Sequence, residues 1–378
     1  LIKKLRAILL RLLTTRVAWP IVITITLLSV ASLRALALSS PERAERQQIH
    51  ILVGTLTLLL ALLPNFQTIG RIAYAAFGIV ILLLIGVLFA PAVQFTHRWF
   101  VLLGGVQLQP SEFAKLAFIL AIAWLLRHRK NVRDIQGLIL PFVLALIQFV
   151  LVLVEPDLGT ALLFPLILYA MLIAAGARFR HLLVIALILP LAGWGYFPFL
   201  RDYQKDRLYS MGRRIFHVEA HAAADGSERD SDLQQNYSLL TIGSGGLSGQ
   251  GAQGAAYIRQ GVLPEAYTDF IFAIIGIQWG FLGCLLILVL YLAFFAAAVE
   301  IAASSRDNFG RLLVVGLASM ILFQALINIA MTIALGPVVG IELPFLSYGG
   351  SSLLTNFLAA GLILNVSVRR NTRSAASR

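Results

Sequence analysis

Ten apolar runs, most of them near the length of a bilayer crossing, constrain this chain more than any other feature. They lie at Val17–Leu38, Ile49–Leu63, Ile72–Ala90, Glu112–Leu126, Leu138–Val154, Leu158–Ala175, Leu182–Phe199, Thr268–Ala303, Leu312–Leu335 and Ser351–Val368. A membrane-crossing helix needs about 20 mostly apolar residues. The second run is short. The eighth is too long: at about 1.5 Å per residue it makes roughly 54 Å of helix, so it must tilt, bend or project. Gly276, Gly280 and Gly283 are places for a bend. Composition agrees with this reading. The 378 residues are 59% hydrophobic and 13% charged, with mean hydropathy +0.86, whereas a soluble domain is about 45–50% apolar and about 25% charged. A soluble globular protein, a disordered tail and a disulfide scaffold are excluded. The one cysteine, Cys284, sits inside an apolar run and cannot form an intramolecular disulfide or a zinc site alone. The expected fold is all-α: one polytopic integral membrane domain over residues 1–378.

The net charge of +12 would suggest nucleic acid on a soluble chain; here it is first a topology signal. With ten spans both termini share a side. That side collects the N-terminal segment, Arg71, the Arg127–Asp134 loop, Arg178–His181, Ser304–Arg311 and the tail over 369–378. It holds 18 Lys and Arg, and only Asp134, Glu300 and Asp307 are acidic; the rest of the chain holds 12 basic and 15 acidic residues. The positive-inside rule makes that side cytoplasmic, which leaves 200–267 as a large external loop. Residues 1–16 read as a basic amphipathic segment lying on anionic lipid. No nucleic-acid partner is expected.

Charges inside or beside apolar spans are functional candidates by default. Glu112 and Lys115 are three apart, so they share a helix face; they read as an ion pair tying helices together, as an anion-binding lysine with its orienting carboxylate, or as both. Asp157, after Glu155-Pro156, reads as a helix N-cap or as a carboxylate in an external cavity that holds a cation. Asp269 stands at the outer mouth of the longest run. Thr268 could cap there as well, and Asp269 is taken as functional. Gly249-Gln250-Gly251-Ala252-Gln253-Gly254 matches GxGxxG formally, but no strand precedes it, so a dinucleotide site is rejected. Gly243–Gly254 reads instead as close backbone packing, or as N–H groups facing an anion. The turn Ser347-Tyr348-Gly349-Gly350-Ser351-Ser352 leads into a helix N-terminus. It reads as a re-entrant turn or as a phosphate site to which Ser347, Gly349 and Ser351 contribute. The external face thus gathers Arg98, Lys115, Arg207, Asp157, Asp269 and two glycine-rich turns, a set of cations and carboxylates suited to a diphosphate and a base or metal.

Five strings carry a family resemblance: Gln109-Pro110-Ser111-Glu112-Phe113-Ala114-Lys115, Glu155-Pro156-Asp157-Leu158-Gly159-Thr160-Ala161, Ile242-Gly243-Ser244-Gly245-Gly246-Leu247, Thr268-Asp269-Phe270-Ile271-Phe272-Ala273 and Leu346-Ser347-Tyr348-Gly349-Gly350-Ser351-Ser352. From about Arg98 to Asn365 the chain resembles the SEDS family of bacterial cell-wall synthesis, which comprises the RodA, FtsW and SpoVE proteins. The resemblance implies ten membrane helices, a lipid II polymerase of the plasma membrane, and a class B penicillin-binding protein as transpeptidase partner. Other elongation-complex membrane proteins and membrane lipids are further expected partners. It assigns Asp269 as the catalytic aspartate, Glu112 and Lys115 as the pair of the central cavity, and Asp157, Arg98 and Arg207 as further site residues. Three features depart from the family pattern: Tyr267 where His is usual, Ile277-Gln278 where Glu-Glu is common, and a polar insertion over about Glu219–Asp232.

The implied chemistry has Asp269 take the proton of the acceptor GlcNAc 4-hydroxyl, which attacks the anomeric carbon of the donor MurNAc and inverts α to β. Lys115, Arg98 and Arg207, or a divalent cation (Mg or Mn) on Asp157 or Asp269, would stabilise the leaving diphosphate. No organic cofactor is expected. Pro344-Phe345-Leu346 and Ile271 lean toward the RodA-like branch of rod elongation. The rival readings are a septal FtsW-type polymerase, a lipid II flippase and a non-catalytic scaffold for the penicillin-binding protein.

Overall fold

A computed structural model describes residues 11–12, 14–90, 98–101, 107–128, 131–196 and 230–369. The amphipathic segment up to residue 10, Arg207 and the tail from residue 370 lie outside them. Thirteen α-helices run through the described residues: α1 (Trp19–Ser39), α2 (Pro41–Ala61), α3 (Phe66–Arg71), α4 (Ala73–Val87), α5 (Pro110–Leu126), α6 (Ile135–Val154), α7 (Leu158–Ala174), α8 (Phe179–Tyr196), α9 (Asp230–Ser244), α10 (Ala252–Arg259), α11 (Ile271–Ser304), α12 (Asn308–Thr332) and α13 (Gly350–Arg369). A two-residue hairpin pairs Phe100–Val101 with Gln107–Leu108 just before α5.

A helix lies over each of the ten apolar runs. Among the described residues, five segments are long and apolar enough to cross a membrane (16–39, 135–154, 271–304, 308–332 and 350–369), and 73–87 and 158–174 are shorter apolar helices. Their outward faces are unlike those of a soluble protein. On α6, Ile135, Ile139, Leu146, Val150 and Val154 are exposed, and on α11 so are Phe281, Leu282, Leu285, Val289 and Leu292. Apolar surface of this extent suits hydrocarbon, and helices suit it because each satisfies its own backbone. The centre is the reverse. On α5 only Phe113, Trp124 and Leu125 reach partial exposure, and α13 buries Ser351, Ser352, Thr355, Asn356, Asn365 and Ser367 among its apolar residues. The polar face of the molecule is therefore internal.

Two expectations change. The second helix starts at Pro41, eight residues ahead of the apolar run, because Pro at N1 opens a helix and the charged stretch Glu42–Arg46 continues it. The segment expected as a loop, 200–267, carries α9 and α10 in its second half. Helix α9 is held by its polar residues: Gln235 Nε2 donates to Met331 O at 3.2 Å and Gly336 O at 2.6 Å, and Ser238 Oγ donates to Thr332 O at 2.7 Å.

Helix α11 bends at Gly280 (φ 68°, ψ −161°), one of the three glycines expected to do so. The break parts Phe281 N–H from Ile277 C=O and Leu282 N–H from Gln278 C=O, which would pair in a continuous helix. The glycine-rich stretch after α9 takes up all four groups. Gln250 N donates to Ile277 O (2.8 Å), Gly251 N to Gln278 O (3.0 Å), Phe281 N to Gly246 O (2.8 Å) and Leu282 N to Leu247 O (3.1 Å). The formal GxGxxG is thus a close-packing device, and its glycines leave room for a second backbone.

Candidate active site

The site begins with three turns that meet at one end of α5. Gln109 is extended and Pro110 opens the helix, which places Glu112 and Lys115 in its first two turns. Lys115 Nζ lies 2.6 Å from Glu112 Oε1, with both side chains buried, and Thr355 Oγ1 of α13 donates to Glu112 Oε2 at 2.9 Å. Both readings of the pair are therefore compatible: it ties α5 to α13, and it brings a cation into the centre. Its positive charge is matched at close range, so its pull on a further anion is weakened.

The second turn joins α6 to α7. Asp157 caps α7 through Thr160 N (3.0 Å), and its other oxygen accepts from Gln109 Nε2 (3.0 Å). Arg98 donates from Nε to Glu155 O at 2.8 Å and from its terminal nitrogen to Pro156 O, so it braces this turn through backbone carbonyls. Glu155 is fully buried, and neither carboxylate oxygen has a hydrogen-bond partner among the described residues. Burial pushes its carboxyl up to about 9, with Asp157 adding and Arg98 opposing.

The third turn carries Asp269. The residue preceding α11, Phe270, supplies no side-chain cap. The Asp269 backbone is pinned. Asn328 Nδ2 donates to Asp269 O (2.7 Å) and to Ile341 O (2.6 Å), Ser347 Oγ donates to Thr268 O and accepts from Leu343 N, and Tyr348 N donates to Tyr267 O (2.9 Å). Ser347 thus holds the turn that carries Asp269. Ser351 Oγ donates to Gln107 O (3.1 Å) and accepts from Gln109 N (3.3 Å), locking α13 to the entry of α5.

The connection over 333–349 closes the site. At Gly340 (φ 70°) a Cβ would stand 3.4 Å from Asp269 Oδ2. At Gly349 a Cβ would stand 2.5 Å from the carboxyl carbon of Glu342, so this side chain lies against the turn that leads into α13. Glu342, which the sequence reading passed over, lies against Gly349, with Glu112, Asp269, Lys115 and Ser352 in its electrostatic surroundings. The only hint in the sequence was an acidic residue four positions before the Leu346–Ser352 string.

A second omission is basic. A cavity of about 650 Å³ is lined by Arg43, Arg46, Arg259, Glu42, Tyr267 and Tyr348, among others. The Arg43 guanidinium lies 4.1 Å from the Tyr267 ring centre, where the ring face attracts a cation. Tyr267 Oη donates to Ser39 O at 3.1 Å. Burial pushes the Tyr267 hydroxyl above its ordinary range, against the pull of Arg43 and Arg259. Tyr267, the departure from the usual His, is thus a wall of this cavity.

The donor set does not fit a multi-carboxylate cation site. Both Asp157 oxygens are engaged, and among the described residues no group of three or more His, Cys, Asp or Glu side chains is arranged to hold a metal.

A family model described as a cell cycle protein, FtsW/RodA/SpoVE, matches residues 6–372. The probable peptidoglycan glycosyltransferase FtsW of Geobacter sp. (strain M18) is 33% identical over 332 residues, 86% of each chain. A solved structure described as the structural coordination of polymerization and crosslinking by a peptidoglycan synthase complex matches with TM-score 0.79 at 28% identity, covering 93% of this chain and 98% of the other. The crystal structure of the Thermus thermophilus rod shape determining protein RodA matches with TM-score 0.69 at 29% identity, covering 93% and 97%.

Proposed function

Because the chain belongs to the FtsW/RodA/SpoVE family it is a peptidoglycan glycosyltransferase of the cytoplasmic membrane, and we propose that it joins lipid II units into β-1,4 glycan strands at the outer face, with Asp269 as general base. The observation that carries this reading is the treatment of Asp269. Three separate contacts, from Asn328, Ser347 and Tyr348, fix the turn that carries it.

The acceptor hydroxyl gives its proton to Asp269, and its oxygen attacks the anomeric carbon from the side opposite the diphosphate. Inversion follows from that single displacement. A positioned base contributes about 10²–10⁴-fold; the remainder comes from stabilising negative charge on the leaving group. Lys115 is half-spent on Glu112, and Arg98 on backbone carbonyls. The cations better suited to a diphosphate are Arg43, Arg46 and Arg259, whose cavity shares Tyr267 with the Asp269 turn. A class B penicillin-binding protein is the proposed crosslinking partner, since a structural neighbour belongs to a peptidoglycan synthase complex.

The test supplies lipid II to the purified protein with its cognate transpeptidase and resolves glycan products on a gel. Wild type yields polymer and Asp269→Ala does not. Equal polymer from Asp269→Ala would remove the assigned role. Lipid movement across liposomes without polymer would favour a flippase, and partner stimulation without polymer would favour a scaffold.

A further inference from the structure

Tyr267 belongs to two parts of the molecule at once. Its backbone lies in the turn that carries Asp269, and Tyr348 N donates to Tyr267 O at 2.9 Å. Its side chain lines the cavity of about 650 Å³ together with Arg43, Arg46 and Arg259. There its hydroxyl donates to Ser39 O, at the last residue of α1, and its ring centre lies 4.1 Å from the Arg43 guanidinium carbon. One ring thus joins the end of α1, the first turn of α2 and the turn before α11. The three arginines keep their charge available: among the described residues none is in a salt bridge, and all three are exposed. Glu42 is the one acidic residue of the lining, so three positive charges face one negative.

A guanidinium over an aromatic ring can serve two partners. The ring face attracts the cation, and the N–H groups lie in the guanidinium plane, where they pair with phosphate oxygens. Resting on the reading of the chain as a lipid II polymerase, we propose that Tyr267 is a positioning residue for the leaving group: its ring holds the Arg43 guanidinium in the cavity so that the N–H groups meet the diphosphate as its bond to the sugar breaks.

As the bond from the anomeric carbon to the diphosphate oxygen breaks, its electron pair stays on that oxygen and negative charge grows there. A cation fixed in advance at that place acts mainly on the transition state, so its loss falls on kcat more than on KM. An unheld arginine side chain is long and samples many rotamers; the ring removes that freedom before the lipid arrives. Because Tyr267 also lies in the Asp269 turn, one residue sets where the leaving group sits relative to the base. The hydroxyl is bonded to Ser39 O and the ring lies beside Arg43, so the two halves of the side chain can be tested apart.

The experiment measures polymerisation of lipid II by the full chain with its transpeptidase, for wild type, Tyr267→Phe, Tyr267→Leu, Arg43→Met and the double variant Arg43→Met/Tyr267→Leu. Arg43→Met is expected to lower kcat about 10- to 100-fold and Tyr267→Leu about 3- to 30-fold, each with KM within about threefold. Tyr267→Phe loses the bond to Ser39 O but keeps the ring, and is expected to stay within about threefold of wild type. In the Arg43→Met background, Tyr267→Leu is expected to lower kcat no more than about twofold further. A purely structural tyrosine gives the opposite pattern: equal losses in Tyr267→Phe and Tyr267→Leu, or losses that multiply in the double variant. Either result would overturn the inference. Arg43 is exposed, so wild-type kcat in Arg43→Met overturns it as well, even where Tyr267→Leu folds poorly. Each of these outcomes leaves the polymerase reading intact; a wild-type protein that makes no polymer would overturn both.

Discussion

The bend at Gly280 gives the most quantitative prediction, because neighbouring glycines differ in what a methyl group would meet. Gly249 has φ 84°, and a Cβ there would lie 2.5 Å from Trp279 N and closer still to Gln278 O. In Gly249→Ala the left-handed backbone costs about 1–2 kcal/mol. Crowding against a backbone adds about 1–3 kcal/mol, and the displaced loop weakens the bonds from Gln250 N to Ile277 O and from Gly251 N to Gln278 O, at about 1 kcal/mol each. The total is about 4–7 kcal/mol. Gly246 has φ 56° with nothing within 4 Å of its Cβ position, so Gly246→Ala pays the backbone cost alone, about 1–2 kcal/mol. Gly243 lies in α9 without a positive φ and with open space at its Cβ, and Gly243→Ala is expected to gain about 0.5–1 kcal/mol. Thermal unfolding of the three purified variants in one detergent should therefore rank Gly243→Ala above wild type, then Gly246→Ala, then Gly249→Ala. Equal midpoints for Gly246→Ala and Gly249→Ala would refute the claim that the loop is packed against the broken helix.

Other outcomes follow from the site. Lys115→Met leaves Glu112 buried and unpaired, so it should destabilise by about 3–5 kcal/mol; adding Glu112→Gln should recover most of the melting temperature without recovering polymerisation. Ser347→Ala removes the hydroxyl that joins Leu343 N to Thr268 O, and is expected to lower kcat at least about tenfold with a stability loss of about 1–3 kcal/mol, read by glycan gel and melting curve. Glu155 supplies a pH dependence. Its folded carboxyl is raised to about 9, so the native state binds more protons than the unfolded chain above the ordinary carboxylate range. Its contribution to stability is full at low pH and is lost as pH rises toward 9. Melting curves of wild type and Glu155→Gln from pH 6 to about 9 should separate steadily in favour of the variant; a constant gap would count against the buried, unpartnered carboxyl.

The membrane helices were legible because a bilayer demands long apolar runs, and these stand out from any polar background. The bend was legible too, since a 36-residue run from Thr268 to Ala303 exceeds the hydrocarbon and contains three candidate glycines. Helices α9 and α10 were not, because their own apolarity is slight and α9 is held by bonds to the end of α12 that no local pattern encodes. Within the site, Asp269, Glu112, Lys115 and Asp157 were readable as charges beside apolar spans. Their roles were less so. Asp157 and Arg98 prove to brace a turn, and Ser347 holds the Asp269 turn from a position 79 residues away. Arg43 and Arg46 were hidden in a stretch taken for a connector, and Glu342 lies in a connection whose placement against Gly349 no local pattern encodes.

The repaired break in α11 also bears on how the chain is made. The loop that supplies Gly246, Leu247, Gln250 and Gly251 to the break precedes Gly280 in the sequence, so it leaves the ribosome first. When the two halves of α11 enter the bilayer, their four parted backbone groups find partners already synthesised and already attached to α9. Had the order been reversed, a segment with bare N–H and C=O groups would have had to wait in hydrocarbon, at several kcal/mol per group. Order along the chain thus lets a bent helix be inserted without passing through an exposed intermediate.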